Sequence, residues 1–235
     1  MAQPWKIIDN VVTEDGTFEL RQRGERDFII TIGAQVLMNS LANRSETVLG
    51  QLGCSHLKDH PNPRVLVGGL GMGFTLQAVL DALPATATVV VAELNPFILE
   101  WCQGPLADLT GSAVTDPRVN VAICDVARLI RASSVNGGDA RFDAIILDLY
   151  RGPHAKTHHL DDPLYGVRAI ENARAALKPC GVLAVWGEQY DEAFEKRLRS
   201  VGFTVTTERP GRGGLRHVVF LARLSPSKKT GKHAS

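Results

Sequence analysis

The sequence predicts a doubly wound α/β domain with a mostly parallel sheet of seven strands, preceded by a small β-hairpin element. Three observations support this fold class. Short apolar strands alternate with helical stretches from residue 64 onwards. The strands are apolar at nearly every position, which is typical of a parallel sheet covered by helices on both faces. A length of 235 residues suits one large domain or one domain with a small appendage.

Residues 5–40 are predicted to form β-structure, as a small hairpin or meander. Residues 18–23 alternate in polarity, residues 24–26 can turn, residues 27–32 return, and residues 36–38 follow as a short apolar stretch. Helical apolar spacing then begins at Ser45, which has the character of an N-terminal cap. This region therefore leads into the main domain through a connecting helix.

The main domain is predicted to contain five parallel strands, five helices and a closing strand pair. The predicted strands are 64–68, 88–93, 119–124, 142–147 and 181–186. The predicted helices are 74–83, 96–109, 126–132, 166–176 and 191–201. The closing pair is antiparallel and consists of 203–206 and 217–222. We divide the chain into an N-terminal element (1–57), a nucleoside-binding domain (58–225) and a flexible tail (226–235).

Composition excludes several classes of partner. The 26 Lys and Arg residues nearly balance the 25 Asp and Glu residues, so no net field would gather nucleic acid or an anionic membrane surface. No apolar run reaches the roughly 20 residues that a membrane span needs. No apolar h-region follows Met1, so we expect no secretion signal, and the four cysteines form no C-x-x-C pair. We expect a cytoplasmic protein with reduced cysteines and no metal.

A glycine-rich turn joins the first parallel strand to its helix. Its glycines are Gly68, Gly69, Gly71 and Gly73. Glycines at this point allow a tight turn and let a ligand approach the peptide groups closely. A purely structural turn is the alternative interpretation.

Carboxylates follow the ends of the next three strands. Glu93 ends the second strand, where a carboxylate can accept hydrogen bonds from ribose hydroxyls, and we expect its side chain to be exposed there. Asp125 follows the third strand, within reach of an adenine amino group, and Asp148 follows the fourth. These three side chains and the glycine turn converge on the sheet edge where such folds bind ligands. Each carboxylate could instead simply cap the helix or turn that follows it.

Two classes of nucleotide cofactor fit this arrangement, a dinucleotide and an S-adenosylmethionine-type nucleoside. The position after Gly73 is Phe74, so the glycines do not complete the dinucleotide pattern. Asp125, preceded by Cys124, also fits the methionine-derived nucleoside better. We therefore expect S-adenosylmethionine or its decarboxylated form as a co-substrate.

The run from Arg64 to Trp186 resembles the spermidine synthase family of class I S-adenosylmethionine-dependent transferases. The motifs that carry the resemblance are 65–73, 91–96, 116–119, 124–126, 142–148, 164–165 and 177–183. The resemblance implies a Rossmann-like, class I methyltransferase-like sheet. It also implies that Glu93 holds the ribose, that Asp125 holds the adenine, and that Asp148 lies beside the reacting amine.

Two departures from that family shape the predicted function. Aminopropyl-transferring members carry an Asp inside the glycine turn, where this chain has Met72, and a second Asp where it has Arg151. We therefore expect methyl transfer from S-adenosylmethionine to an N or O nucleophile of a small molecule. Aminopropyl transfer, as in polyamine synthesis by spermidine synthase, is the first alternative. A non-catalytic nucleoside-binding protein that retains the fold is the second.

The catalytic candidates are Asp148, Tyr150 and His154. Asp148 would orient or deprotonate the acceptor, and the other two are secondary candidates. The loop 154–159 is rich in histidines, but no Glu or Cys is spaced to complete a metal site with them. We expect a small-molecule acceptor as the partner, with homodimer formation as a further possibility.

Overall fold

The computed structural model describes residues 3–211 and 217–225, which form two β-sheets and six α-helices. The N-terminal sheet consists of β1 (Lys6–Thr13), β2 (Gly16–Arg23), β3 (Asp27–Ile32) and β4 (Gln35–Asn39). The main sheet consists of β5 (Arg64–Gly68), β6 (Thr88–Glu93), β7 (Val119–Ile123), β8 (Phe142–Leu147), β9 (Leu177–Gly187), β10 (Thr204–Glu208) and β11 (Val218–Arg223). The helices are α1 (Arg44–Cys54), α2 (Phe74–Ala82), α3 (Pro96–Gln103), α4 (Val126–Asn136), α5 (Val167–Ala176) and α6 (Glu192–Ser200).

The main sheet has the predicted seven strands, in the order β10-β11-β9-β8-β5-β6-β7. Strands β5 to β9 run parallel, whereas β11 pairs antiparallel with β9 and β10 pairs antiparallel with β11. The chain first builds outwards from β5 through β6 to β7 and then returns to place β8 on the other side of β5. The carboxyl ends of β5 and β8 therefore flank the topological switch point, where sheets of this kind bind ligands.

The N-terminal element is a meander, one of the two forms predicted for it. It is a four-stranded antiparallel sheet in which β1 and β4 add to the outside of the β2–β3 hairpin. The sequence of β1 does not alternate in polarity, and a bulge between Ile7 and Asp9 shifts its register against β2. A search for alternating polar and apolar residues therefore does not detect this strand.

Several helix boundaries differ from the predicted ones. Helix α3 ends at Gln103 rather than 109, since Gly104 and Pro105 follow and proline cannot continue a helix. Helix α4 runs on to Asn136. Helix α1 begins one residue before Ser45, so Ser45 is not its cap.

Apolar side chains cover both faces of the main sheet. Alternate residues of β5 point to opposite faces: Val65 and Val67 belong to one buried cluster and Leu66 to the other. Helices α1 and α2 pack closely on the first face. A Cβ added at Gly50 would lie only 2.8 Å from the Ala78 Cβ. This packing fixes the strand ends that carry the candidate site residues.

Some organisational expectations stay predictions. The division after residue 57 and the homodimer are untested, and the predicted tail 226–235 lies outside the described residues. Within residues 3–211 and 217–225, no helix is both long and apolar enough to cross a membrane.

Candidate active site

The glycine turn brings together the ends of three strands. The N–H of Gly69 donates to the Ala92 carbonyl at the end of β6, and the Asp148 N–H donates to the Gly68 carbonyl, both at 2.9 Å. Gly69 has a φ of +87°, and a Cβ there would collide with the Asp148 carbonyl oxygen. Only glycine fits this close approach without strain. The turn therefore sets the distance between β5 and the residues after β8.

The predicted glycines divide into lining and supporting positions. Gly69 and Gly71 line a cavity of about 280 Å³ at the carboxyl edge of the sheet. Gly68 lies against Val126 and Leu147, and Gly73 is the N-cap residue of α2. The turn thus forms one wall of the cavity through two of its four glycines.

Glu93 is buried, with 7% of its surface exposed, rather than exposed at the strand end as we expected. One carboxylate oxygen accepts from the Leu70 N–H and the other from the Asn95 N–H, each at 2.9 Å. Each oxygen keeps a further lone pair for a ligand. Glu93 therefore holds the glycine turn in place and also lines the cavity.

Asp125 lines the same cavity and caps α4. One carboxylate oxygen accepts from the Ala127 N–H at 2.8 Å. The capping interpretation is thus correct for this residue, and it is compatible with ligand contact because the side chain is exposed. A single carboxylate can cap a helix and also contact a ligand, since only one of its two oxygens accepts the capping hydrogen bond.

The Asp148 carboxyl group also lines the cavity, and the residue is half-buried. One of its oxygens accepts a hydrogen bond of 2.5 Å from the Thr75 hydroxyl. Burial raises the pKa of Asp148 to about 7, with a smaller contribution from the negative charge of Glu46, while the Thr75 hydrogen bond opposes the rise. A carboxyl group with a pKa near neutrality can exchange a proton at physiological pH.

The charged lining of this cavity is entirely acidic. Among the described residues its only charged side chains are Glu93, Asp125 and Asp148, with no Lys, Arg or His. The other walls are mostly apolar and include Phe18, which packs on Phe97 with ring centroids 5.2 Å apart. Such a cavity favours a ligand with an apolar body and positive charge.

Met72 takes no part in this lining. Its side chain is fully buried in the hydrophobic cluster on one face of the sheet. The position that carries an Asp in the resembling family therefore adds no charge of either sign to the cavity of this chain.

Tyr150 and His154 lie on the outer side of Asp148. Tyr150 is 45% exposed and lines both the first cavity and a second one of about 640 Å³ beside it. His154 lines only the second cavity, and its Nδ1 lies 2.9 Å from the Gly152 carbonyl, so Nδ1 carries the hydrogen that it donates. The structure thus brings Tyr150, but not His154, to the first cavity.

The remaining histidines of the loop do not assemble with His154. His158 pairs with Asp191 at 2.7 Å, and His159 is exposed. Over residues 3–211 and 217–225, no group of three or more His, Cys, Asp or Glu side chains is arranged to hold a metal ion.

Several residues of the second cavity were not predicted from the sequence. Glu46 from α1, Trp186 and Glu188 around the end of β9, and His217 before β11 all line it. Trp186 ends a predicted parallel strand, so its position could have been identified. Glu46 and His217 come from distant segments and carry no local pattern.

Comparisons with known proteins show which proteins this chain resembles. No protein-family model matches it. A polyamine aminopropyltransferase of Mycobacterium tuberculosis is 34% identical over 152 residues, which are 60% of this chain and 27% of that relative. This chain is spermidine synthase-like. The matched part thus spans only about a quarter of the relative's length.

Solved structures support the same fold. The spermidine synthase of Thermotoga maritima superposes with a TM-score of 0.70 at 19% identity, covering 93% of this chain and 72% of that one. Human methyltransferase-like protein 13, in complex with SAH, superposes with a TM-score of 0.57 at 23% identity, covering 80% and 83%. At these identities the likeness concerns the fold alone.

The expected methyl transfer is wrong as the first interpretation. The curated relatives are named polyamine aminopropyltransferase, and spermidine synthases stand among the solved structures with the same fold. The expectation gave weight to Met72 as a lost amine contact. It gave the same weight to Arg151, and it treated Glu93, Asp125 and Asp148 as single contacts rather than as a joint acidic lining that favours a cation.

Proposed function

We propose that this spermidine synthase-like chain transfers an aminopropyl group from decarboxylated S-adenosylmethionine to the amine of a small molecule. The observation that carries the proposal is the acidic lining of the first cavity, where three carboxylates and no cation occur among the described residues. The decarboxylated donor has a sulfonium and an ammonium group and no carboxylate. Intact S-adenosylmethionine would add a carboxylate at its reacting end, beside Asp148, in a cavity whose described lining holds no cation.

The proposed donor fits the cavity residue by residue. Glu93 has free lone pairs for ribose hydroxyls, and Asp125 has a free oxygen for the adenine amino group. The apolar walls suit the adenine ring and the methylene groups. Asp148 is left for the end of the donor that reacts.

The transfer is a displacement at carbon. The acceptor nitrogen uses its lone pair to form a bond to the aminopropyl carbon next to the sulfonium. The carbon–sulfur bond breaks, and its electron pair stays on sulfur, so neutral 5′-methylthioadenosine leaves. The nitrogen then carries an extra proton, which it gives to the Asp148 carboxylate. The protein's main tasks are to hold the two partners in line and to accept this proton.

The position of Asp148 supports its role as the base. It lines the donor cavity and also a small recess with Glu46 and Tyr150, which adjoins the second cavity. A proton acceptor must lie between donor and acceptor, and its pKa must be near the working pH. Asp148 meets both requirements, whereas a protein that only binds the nucleoside needs neither.

Calorimetry with the two donors tests the proposal. We expect decarboxylated S-adenosylmethionine to bind at least tenfold more tightly than intact S-adenosylmethionine, a difference of about 1.4 kcal/mol. Asp148→Asn should narrow the difference, because it removes one of the carboxylates. Asp139→Asn, at an exposed acid away from the cavity, should leave it unchanged. Tighter binding of the intact donor would contradict the proposal.

A further inference from the structure

The second cavity has a different charge pattern from the first. It is bordered by the end of β4, by α1, by the loop after Asp148 and by the end of β9. Leu37, Met38 and Tyr150 line both cavities, so they separate the two spaces. If the first cavity holds the donor, the second is where the acceptor lies. The role of this second cavity therefore rests on the proposed function.

Two cations line this second cavity without a carboxylate partner. The cations are Arg151 and Lys156. Among residues 3–211 and 217–225, no Asp or Glu oxygen lies within 4.0 Å of either side-chain nitrogen group. The Arg151 guanidinium instead lies 5.4 Å from the centre of the Tyr150 ring. Both side chains are thus able to pair with an anion that enters the cavity.

The carboxylates of the second cavity, Glu46 and Glu188, lie on other segments of the chain than the two cations. Glu46 lies close enough to Asp148 to raise its pKa, so it belongs to the side that faces the donor. Glu188 follows β9, on a different segment from the two cations. Arg151 is three residues after Asp148, so their Cα atoms are at most about 11 Å apart. The cavity therefore offers carboxylates for amino groups and two cations for an anion, one of them only three residues after the base.

The geometry points to an acceptor that carries a carboxylate as well as its reacting amine, such as a diamino acid, rather than a simple diamine. The reacting amine lies at Asp148 and Glu46, and the acceptor's carboxylate pairs with Arg151 and Lys156. Glu188 is available to a second ammonium group. A diamine brings the same ammonium groups but no anion to neutralise the two cations.

Matched acceptors test this inference directly. Ornithine and putrescine differ only by one carboxylate, as do lysine and cadaverine. With decarboxylated S-adenosylmethionine as donor, we expect kcat/KM to be at least tenfold higher for each amino acid than for its matched diamine. Arg151→Gln should reduce that ratio by roughly tenfold, chiefly through KM. Arg131→Gln, at an exposed arginine of α4 outside the cavity, should leave it unchanged.

The inference is overturned if kcat/KM is higher for the diamines than for the matched amino acids. It is also overturned if Arg151→Gln leaves the ratio of these two kcat/KM values unchanged. Either result would leave the proposed function standing. If no acceptor yields 5′-methylthioadenosine, the proposed function fails instead. Calorimetric titration of ornithine into the protein saturated with 5′-methylthioadenosine then decides the inference on its own. Binding that Arg151→Gln weakens about tenfold supports it, and absent or unaltered binding overturns it.

Discussion

The Asp148 carboxyl group connects the structure to the proposed chemistry at the scale of a single residue. Its pKa of about 7 is higher than that of an ordinary aspartate because the group is buried and lies near Glu46. A raised pKa keeps the carboxyl group protonated at acidic pH, and a protonated group cannot accept the proton of the acceptor amine. The proton-accepting form therefore accumulates as the pH rises through about 7.

A pH–rate profile tests this role. At saturating donor and acceptor, we expect the turnover of the wild-type protein to fall about tenfold per pH unit below roughly pH 7. Asp148→Asn should lower turnover by roughly 10²–10⁴-fold above pH 7. The ratio of wild-type to variant rates should follow one titration near pH 7, which cancels the titration of the acceptor amine. A ratio that stays constant from pH 5 to about pH 9 would exclude Asp148 as the base.

The site residues that the sequence could predict share one property. Glu93, Asp125 and Asp148 each follow an apolar strand, and the ends of parallel strands converge on one edge of the sheet. Glu46 escapes such reasoning because it reaches the site from α1, about a hundred residues before Asp148 in the chain. The burial of Met72 was equally unpredictable, since the direction of a side chain in a glycine turn depends on the turn's own backbone angles.

At the scale of elements, the glycine turn is the part whose geometry is most constrained. It has three glycines with positive φ, and at Gly69 the backbone of the residues after β8 lies in direct contact. A substitution there acts on the position of Asp148 as well as on the turn. This coupling of β5 to β8 makes the turn the natural place to perturb the donor cavity.

Gly69→Ala should abolish measurable nucleoside binding and lower the Tm, because its Cβ would collide with the Asp148 carbonyl oxygen. Gly111→Ala is the matched control, since Gly111 has a φ of +57° and a Cβ added there would have no atom within 4 Å. The control should show only the cost of positive φ, about 1 kcal/mol. Thermal unfolding and calorimetry with 5′-methylthioadenosine measure both variants. If the two substitutions lowered the Tm and the nucleoside affinity equally, the close contact at Gly69 would not be the cause of the loss.

The N-terminal sheet shows where element prediction from sequence stops. The alternating strands β2 and β3 were predicted individually, whereas β1 was predicted only as part of the β-structure of residues 5–40, because its sequence does not alternate in polarity. The sheet also supplies walls of both cavities through Leu37 and Met38. Contacts of this kind depend on how one element packs on another, and no local pattern records them.

At the scale of the whole molecule, one sheet edge organises both cavities. The strand order reverses at β5, and the glycine turn, Asp148 and the loop that carries Arg151 all leave the sheet beside that point. The alternation of apolar strands with helices along the sequence was enough to predict this architecture, because buried parallel strands have a distinctive composition. It was not enough to predict the reaction, which depends on the charges that line the two cavities.

The central claim is that the donor is decarboxylated S-adenosylmethionine and that its aminopropyl group moves. The most direct test is one incubation with both donors at equal concentration and a mixture of ornithine, lysine, putrescine and cadaverine, followed by mass spectrometry of the nucleoside products. Aminopropyl transfer releases 5′-methylthioadenosine, whereas methyl transfer releases S-adenosylhomocysteine. We expect 5′-methylthioadenosine together with an acceptor enlarged by one aminopropyl group, and neither product with Asp148→Asn at the same protein concentration and time. Accumulation of S-adenosylhomocysteine with a methylated acceptor would contradict the account.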